Sequence, residues 1–193
     1  MKHHFAHTCY DIDALFVVPK KHEGTAMHLK WFMANLERQS KEQPDMFEPN
    51  DYVGDGFEAF VESLLLQLGT HQCLQMKDYQ PGNPGEDMGV DGYGYGKDGE
   101  VHTVQAKYRS NTMDLLTANK DHISNFVAHS LAHYNAKHMT LITTADGLHN
   151  VIAESMYAGQ VRTIGYQQLC QLVDANGMFW QDFRDMLKLA KSL

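Results

Sequence analysis

Apolar side chains recur along this chain with two periods, and each change of period marks an element. Leu29, Phe32, Met33 and Leu36 fall at helical spacing and predict a helix over about 25–42. Phe57, Phe60, Val61, Leu64 and Leu68 make a second helical stripe, which Gly69 is suited to stop. Ahead of both, residues 10–18 are a candidate short strand, ended by Pro19 and the charged run Lys20-Lys21-His22-Glu23. Pro44 and Pro49 bracket a loop between the two helices. The period then shortens. A strand is expected within 71–79, a loop over the Pro/Gly-rich run 80–85, and strands over about 88–95 and 100–108, joined by the turn Lys97-Asp98-Gly99. Beyond them the pattern predicts a helix over 118–135, a strand over 138–143, a helix over 148–157 and a strand over 161–165. Two closing helices are expected over 167–174 and 178–191.

Helix, strands, helix, strand, helix, strand, helix is the order of an α/β sandwich with a mixed central sheet flanked by helices. Residues 51–193 form the expected core, and residues 1–50 an N-terminal, largely helical extension. No internal repeat or low-complexity segment interrupts this plan.

Composition narrows the class. At 193 residues, 43% hydrophobic and 21% charged, the chain reads as globular, with one sizeable core and an appendage. No run approaches the roughly 18 uninterrupted apolar residues of a membrane span. Met1-Lys2-His3-His4 leads into no apolar segment, so no secretory signal is expected. Cys9, Cys73 and Cys170 are odd in number and far apart, which fits neither a disulfide framework nor a zinc ribbon and points to a reducing, cytoplasmic setting. A formal charge of −8 argues against a protein that coats nucleic acid non-specifically. It does not argue against a metal-dependent site, which is itself built from carboxylates.

Chemistry concentrates in Gly89-Val90-Asp91-Gly92 and Val101-His102-Thr103-Val104-Gln105-Ala106-Lys107. Alternation along a strand puts Gln105 and Lys107 on one face, with Val104 and Ala106 on the other, free to pack under a helix. Asp91 on the adjoining strand offers a carboxylate, Gln105 an amide oxygen and Ala106 a backbone carbonyl. Such an oxygen set suits Mg²⁺ or Mn²⁺. Lys107 is placed to hold a water and to stabilise charge during attack on a phosphodiester. Gly89, Gly92 and Gly94 strip bulk from the same strand, which allows close approach of a ligand or of backbone.

Aspartate, hairpin, then Gln105-Ala106-Lys107-Tyr108-Arg109-Ser110 resembles the Mrr-type variant of the PD-(D/E)xK restriction-endonuclease-like superfamily. In that variant glutamine replaces the usual acidic residue. The resemblance runs from about residue 56 to 173. It takes in Gly56-Phe57-Glu58-Ala59-Phe60 as the first core helix and Leu141-Ile142-Thr143-Thr144 as a later strand ending in two threonines. It implies catalytic roles for Glu58, Asp91, Gln105 and Lys107, with Glu58 joining Asp91, Gln105 and Ala106 around the metal. It also implies hydrolysis of DNA in restriction, phage or mobile-element biology, inside a bacterial or phage-infected cell. Two strands of opposite polarity are most simply cut by a two-fold pair of sites, so a homodimer is expected. The alternative is a DNA-binding or protein-interaction module that kept the fold and lost turnover.

Other residues carry competing readings. Asp55-Gly56-Phe57-Glu58 also fits a capping box, with Glu62 one turn on as the substitute carboxylate. Gly94-Tyr95-Gly96-Lys97-Asp98-Gly99 matches a dinucleotide fingerprint, but a strand rather than a helix is expected after it, and no P-loop occurs, so no nucleotide cofactor is expected. His3, His4, His7 and Cys9 match no zinc spacing, and His129 and His133 lack the glutamate of a zinc protease. Arg109, Ser110 and Lys120 are candidate phosphate contacts beyond the active strand. The stripe Phe179, Trp180, Phe183, Met186, Leu187 and Ala190 reads as core, with a partner face as the alternative; this helix and the N-terminal extension are the candidate dimer interfaces.

Overall fold

The computed structural model describes residues 10–42, 49–82, 89–117, 122–148, 159 and 161–192, with side chains from Tyr52 onward in the helix that starts at Pro49. Contacts divide the chain into two compact units, one formed by 1–63 with 167–193 and the other by 64–166. His3, His4, His7, Cys9, Lys120 and nearly all of the helix expected over 148–157 lie outside the described residues.

The first unit is helical. Where a strand was expected, Ile12–Leu15 forms a short helix, α1. The Asp11 side chain accepts the Ala14 N–H and caps it. Ile12 and Leu15 turn inward together, and the amide of Asn35 donates to the carbonyls of Leu15 and Val17. A side chain therefore satisfies backbone that a strand partner would otherwise have taken. A 3-10 turn at Lys20–His22 leads into α2, Ala26–Glu42, close to the expected helix.

Helix α3 spans Pro49–Leu68, and proline is well suited to a first turn. Asp55 and Glu58 consequently lie inside the helix, which removes the capping-box reading. A Cβ on Gly56 would stand 2.4 Å from a methyl of Leu36, so glycine here lets α2 and α3 pack closely. The last two described helices are Tyr166–Asp174, named α5, and Phe179–Lys191, named α6. Phe32, Phe57, Phe60, Phe179 and Phe183 are fully buried, and Trp180 packs edge-on to Phe179. Of the C-terminal stripe, Phe179, Trp180, Phe183 and Leu187 are core, while Met186 and Ala190 are half-buried.

The second unit holds the expected mixed sheet, with five strands. These are β1 (Lys77–Pro81), β2 (Gly92–Tyr95), β3 (Val101–Lys107), β5 (His138–Thr143) and β7 (Val161–Ile164). They stand in the order β1-β2-β3-β5-β7. The first three pair antiparallel; β3, β5 and β7 pair parallel. A small parallel pair, β4 (Leu115–Leu116) with β6 (Gly147–Leu148), was not expected, being too short for any period to show. The glycine-rich run closes the β2–β3 hairpin: Gly96 N–H donates to the Glu100 carbonyl, and Gly99 takes the positive φ of +82° that the turn requires.

Helix α4, Ile123–Tyr134, is the crossover between β3 and β5. It buries Ile123, Phe126 and Val127 in a cluster with Val90, Met139 and Leu141. In the parallel register Thr103 is level with Met139 and Gln105 with Leu141, and the Thr103 hydroxyl donates to Ser130 of α4 at 2.8 Å. The crossover helix thus covers the face that carries Gln105, while Val104 and Ala106 on the opposite face are buried as well. Met139 and Leu141 are the reason: they supply the apolar surface that α4 needs, and strand alternation ties Gln105 to their side.

Candidate active site

Asp91 stands just before β2 and is held through its backbone on both sides. Its N–H donates to the Val104 carbonyl at 2.9 Å, and its carbonyl accepts from Gly82 N–H at 2.8 Å. The side chain is buried, and Oδ2 accepts the Ala106 N–H at 2.6 Å. A charge-assisted bond of that length fixes the carboxylate against the middle residue of Gln105-Ala106-Lys107. The three sequence-expected positions on the two strands are therefore brought together.

Gln105 is 1% exposed, and among the described residues neither Oε1 nor Nε2 has a hydrogen-bond partner. Leaving a buried amide unpaired costs roughly 1–3 kcal/mol, so its retention in the core calls for a ligand. Its nitrogen lies 2.7 Å from where a Cβ on Gly89 would stand, and Gly89 has φ +92°. Only glycine leaves room for the amide there. The other glycines serve the protein itself. The Tyr79 ring fills the space beside Gly92, while the Lys77 carbonyl and Met76 fill that beside Gly94.

Lys107 ends β3, half-buried, and among the described residues its ammonium is in no ion pair. Its carbonyl accepts from the Thr143 hydroxyl at 2.7 Å. Thr144 continues the brace: its hydroxyl accepts Arg109 N–H at 2.6 Å and donates to the Arg109 carbonyl at 2.8 Å. The two threonines hold the chain just past the active strand, a function that the motif alone did not reveal. Arg109 is half-buried, folds back on the Tyr108 carbonyl, and has its guanidinium pKa lowered by burial; Ser110 is exposed.

Glu58 and Glu62 stand on α3 in the stretch belonging to the first unit. Glu58 is half-buried, and its charge, with that of Asp55, adds to the burial that raises the Tyr10 phenol's pKa. Glu62 is buried.

A divalent cation, which the family resemblance implies, fits the donors present. They are oxygen only: a fixed carboxylate, a buried amide oxygen without a partner, and backbone carbonyl. Among the described residues no three His, Cys, Asp or Glu side chains converge, so a histidine–cysteine centre has no counterpart there.

A family model described as restriction endonuclease matches residues 51–173. No curated protein matches the chain. Among solved structures, a DNA modification-dependent restriction endonuclease, AspBHI, superposes with a TM-score of 0.52 at 17% identity, over 92% of this chain and 43% of its own. The ATP-dependent Type ISP restriction-modification enzyme LlaBIII, bound to DNA, gives a TM-score of 0.47 at 18% identity, over 72% of this chain and 8% of its own. The chain spans less than half the length of either.

Proposed function

Because the chain belongs to the restriction endonuclease family whose model covers residues 51–173, we propose that it hydrolyses DNA phosphodiester bonds with a divalent metal, Mg²⁺ or Mn²⁺. One observation carries the proposal. The Asp91 carboxylate is bonded to the backbone of Ala106, between Gln105 and Lys107, and among the described residues the buried Gln105 amide has no hydrogen-bond partner and the Lys107 ammonium no ion pair.

Asp91, the Gln105 amide oxygen and the Ala106 carbonyl would hold the metal, with Glu58 carried over from the family. When bound, the ion supplies Lewis-acid polarisation and charge neutralisation at the scissile phosphate. Lys107 orients the attacking water and stabilises the negative charge that builds on the phosphate oxygens. Arg109, Ser110 and Lys120 are proposed phosphate contacts that set the position of the strand. Residues 51–193 are proposed as the nuclease core and 1–50 as its extension, since the family match begins at residue 51. A homodimer and a role in restriction, phage or mobile-element biology complete the proposal.

The test is cleavage of supercoiled plasmid with and without metal. Nicking or linearisation in Mg²⁺ or Mn²⁺, abolished by EDTA, is the expected result; full activity in EDTA sinks the mechanism. Inactivity on duplex, single-stranded and branched DNA and on RNA favours a binding module without turnover. Glu58→Gln is expected to cut activity with little change in melting temperature. Unchanged cleavage transfers the role to Glu62 or to no residue of α3.

A further inference from the structure

A polar cavity opens at the other end of the sheet. It is lined by Lys97, Asp98, His102, Lys137, His138 and Arg162, among others, and has a volume of about 520 Å³. His102 lies near the start of β3, five residues before Lys107, so the cavity and the catalytic end of that strand are about 16 Å apart.

Its electrostatics run against those of the chain. Lys97, Lys137 and Arg162 face, among the described residues, a single lining carboxylate, Asp98, in a protein of net charge −8. That carboxylate is already engaged. Oδ1 accepts the Glu100 N–H at 3.0 Å, and Oδ2 bonds the His138 ring at 2.8 Å. Among the described residues no acid pairs with Arg162, Lys97 or Lys137.

Arg162 is the most telling of the three. It is half-buried, and burial pulls its guanidinium pKa down. A single nitrogen, Nη2, donates to the Leu74 carbonyl at 2.6 Å and to Thr140 Oγ1 at 3.4 Å, which anchors the fork from behind. Among the described residues Nε and Nη1 make no bond, and they remain for a ligand. Buried His102 helps to hold Thr140 in place, its Nε2 lying 2.7 Å from the hydroxyl. A partly desolvated cation without a counter-ion is costly unless an anion joins it. A planar fork beside two ammonium groups matches the oxygens of a phosphate.

We propose that this cavity is a binding site for a phosphomonoester of about nucleotide size. The excess of cations over carboxylate suits a dianion better than the single charge of a diester. The volume exceeds what a bare ion needs and falls within the roughly 300–1,000 Å³ of small-molecule pockets. The assignment is independent of the nuclease proposal, since no catalytic candidate lines the cavity.

The test titrates the full chain in EDTA by calorimetry. The probes are inorganic phosphate, a nucleoside 5′-monophosphate, and one oligonucleotide with and without a 5′-phosphate. EDTA removes metal-bridged binding at the other site. Saturable binding of the monophosphate is expected, weakened roughly tenfold or more in the Lys97→Ala/Lys137→Ala double variant, both side chains being exposed and, among the described residues, in no ion pair. Arg162→Lys should weaken it too, by keeping the charge and losing the fork. Binding of the 5′-phosphorylated oligonucleotide but not of the free monophosphate supports the phosphoryl site and assigns its source to a nucleic-acid end. No binding of any phosphorylated probe at millimolar concentration overturns the proposal. So does equal binding of the unphosphorylated oligonucleotide, or an affinity that the double variant leaves unchanged.

Discussion

The carboxylate of Asp91 accepts the backbone N–H of Ala106 at 2.6 Å, so the acidic residue of one strand is bonded to the middle of the other strand's Gln-x-Lys. Charge and geometry can be separated at this pair. Asp91→Asn keeps an oxygen for the Ala106 N–H and should unfold within about 1 kcal/mol of wild type. Asp91→Ala strands a buried donor and should lose about 1–3 kcal/mol. Cleavage should collapse in both. Chemical denaturation run beside a plasmid assay checks this, and an active Asp91→Asn enzyme would remove the carboxylate from the metal site.

Gln105 should show opposed effects on stability and activity. Gln105→Met removes a buried amide that has no partner while nearly preserving length, so the metal-free protein should gain on the order of 1 kcal/mol. Metal-dependent cleavage should disappear. Melting curves in EDTA with parallel kinetics decide the matter; a destabilised but active variant would make the amide structural.

Lys107→Ala should fold normally, because the ammonium is in no ion pair among the described residues and the Thr143 bond is made to backbone. Its cleavage rate should fall on the order of a hundredfold or more, as when a preorganised charge is removed from an active site. Binding to DNA in Ca²⁺ should persist. Wild-type turnover by this variant would break the motif's assignment.

Acid should weaken the fold through two buried histidines. Burial lowers the pKa of His28 and that of His102 to about 4 each, with the Arg162 charge adding to the effect at His102. His28 Nδ1 accepts the Gly24 N–H, and its ring stacks on Trp180 at 4.0 Å. The unfolded chain takes up protons below its ordinary histidine pKa near 6.5, whereas the native protein resists until about 4. Stability is therefore full above pH 6.5 and drains between there and 4, by up to about 1.4 kcal/mol per pH unit for each ring. Urea midpoints from pH 7.5 to 4.5 measure this, and His28→Gln should flatten the profile. A flat profile in the wild type contradicts the burial argument.

The elements that sequence rendered well are those whose apolar residues repeat. The β5 strand is found at its expected bounds, and α2 within a residue of them, because Leu29, Phe32, Met33 and Leu36 leave little choice. Residues 10–18 misled because their apolar content suits a strand, while one capping aspartate and the distant Asn35 amide decided for a helical turn. The start of α3 was concealed by Gly56, which resembles a boundary yet serves the approach of α2. At the candidate site, the pairing of Asp91 with the strand of Gln105-Ala106-Lys107 was legible from the order of the elements. Which face the crossover helix covers was not, because it depends on Met139 and Leu141 of a strand more than thirty residues on. The partnerless state of the Gln105 amide likewise belongs to packing, which no local pattern encodes.

The brace from Thr143 to the Lys107 carbonyl reaches across 36 residues of chain. Closing so long a crossover spends chain entropy before any contact rewards it, and parallel pairing of this kind forms late. A growing chain can complete the β1–β3 meander while the end of the active strand is still unheld. The end of β3 is then set only after Thr143 and Thr144 have been synthesised and docked. On the proposed function, an incomplete chain would carry Asp91, Gln105 and Lys107 without the brace that sets the end of their strand.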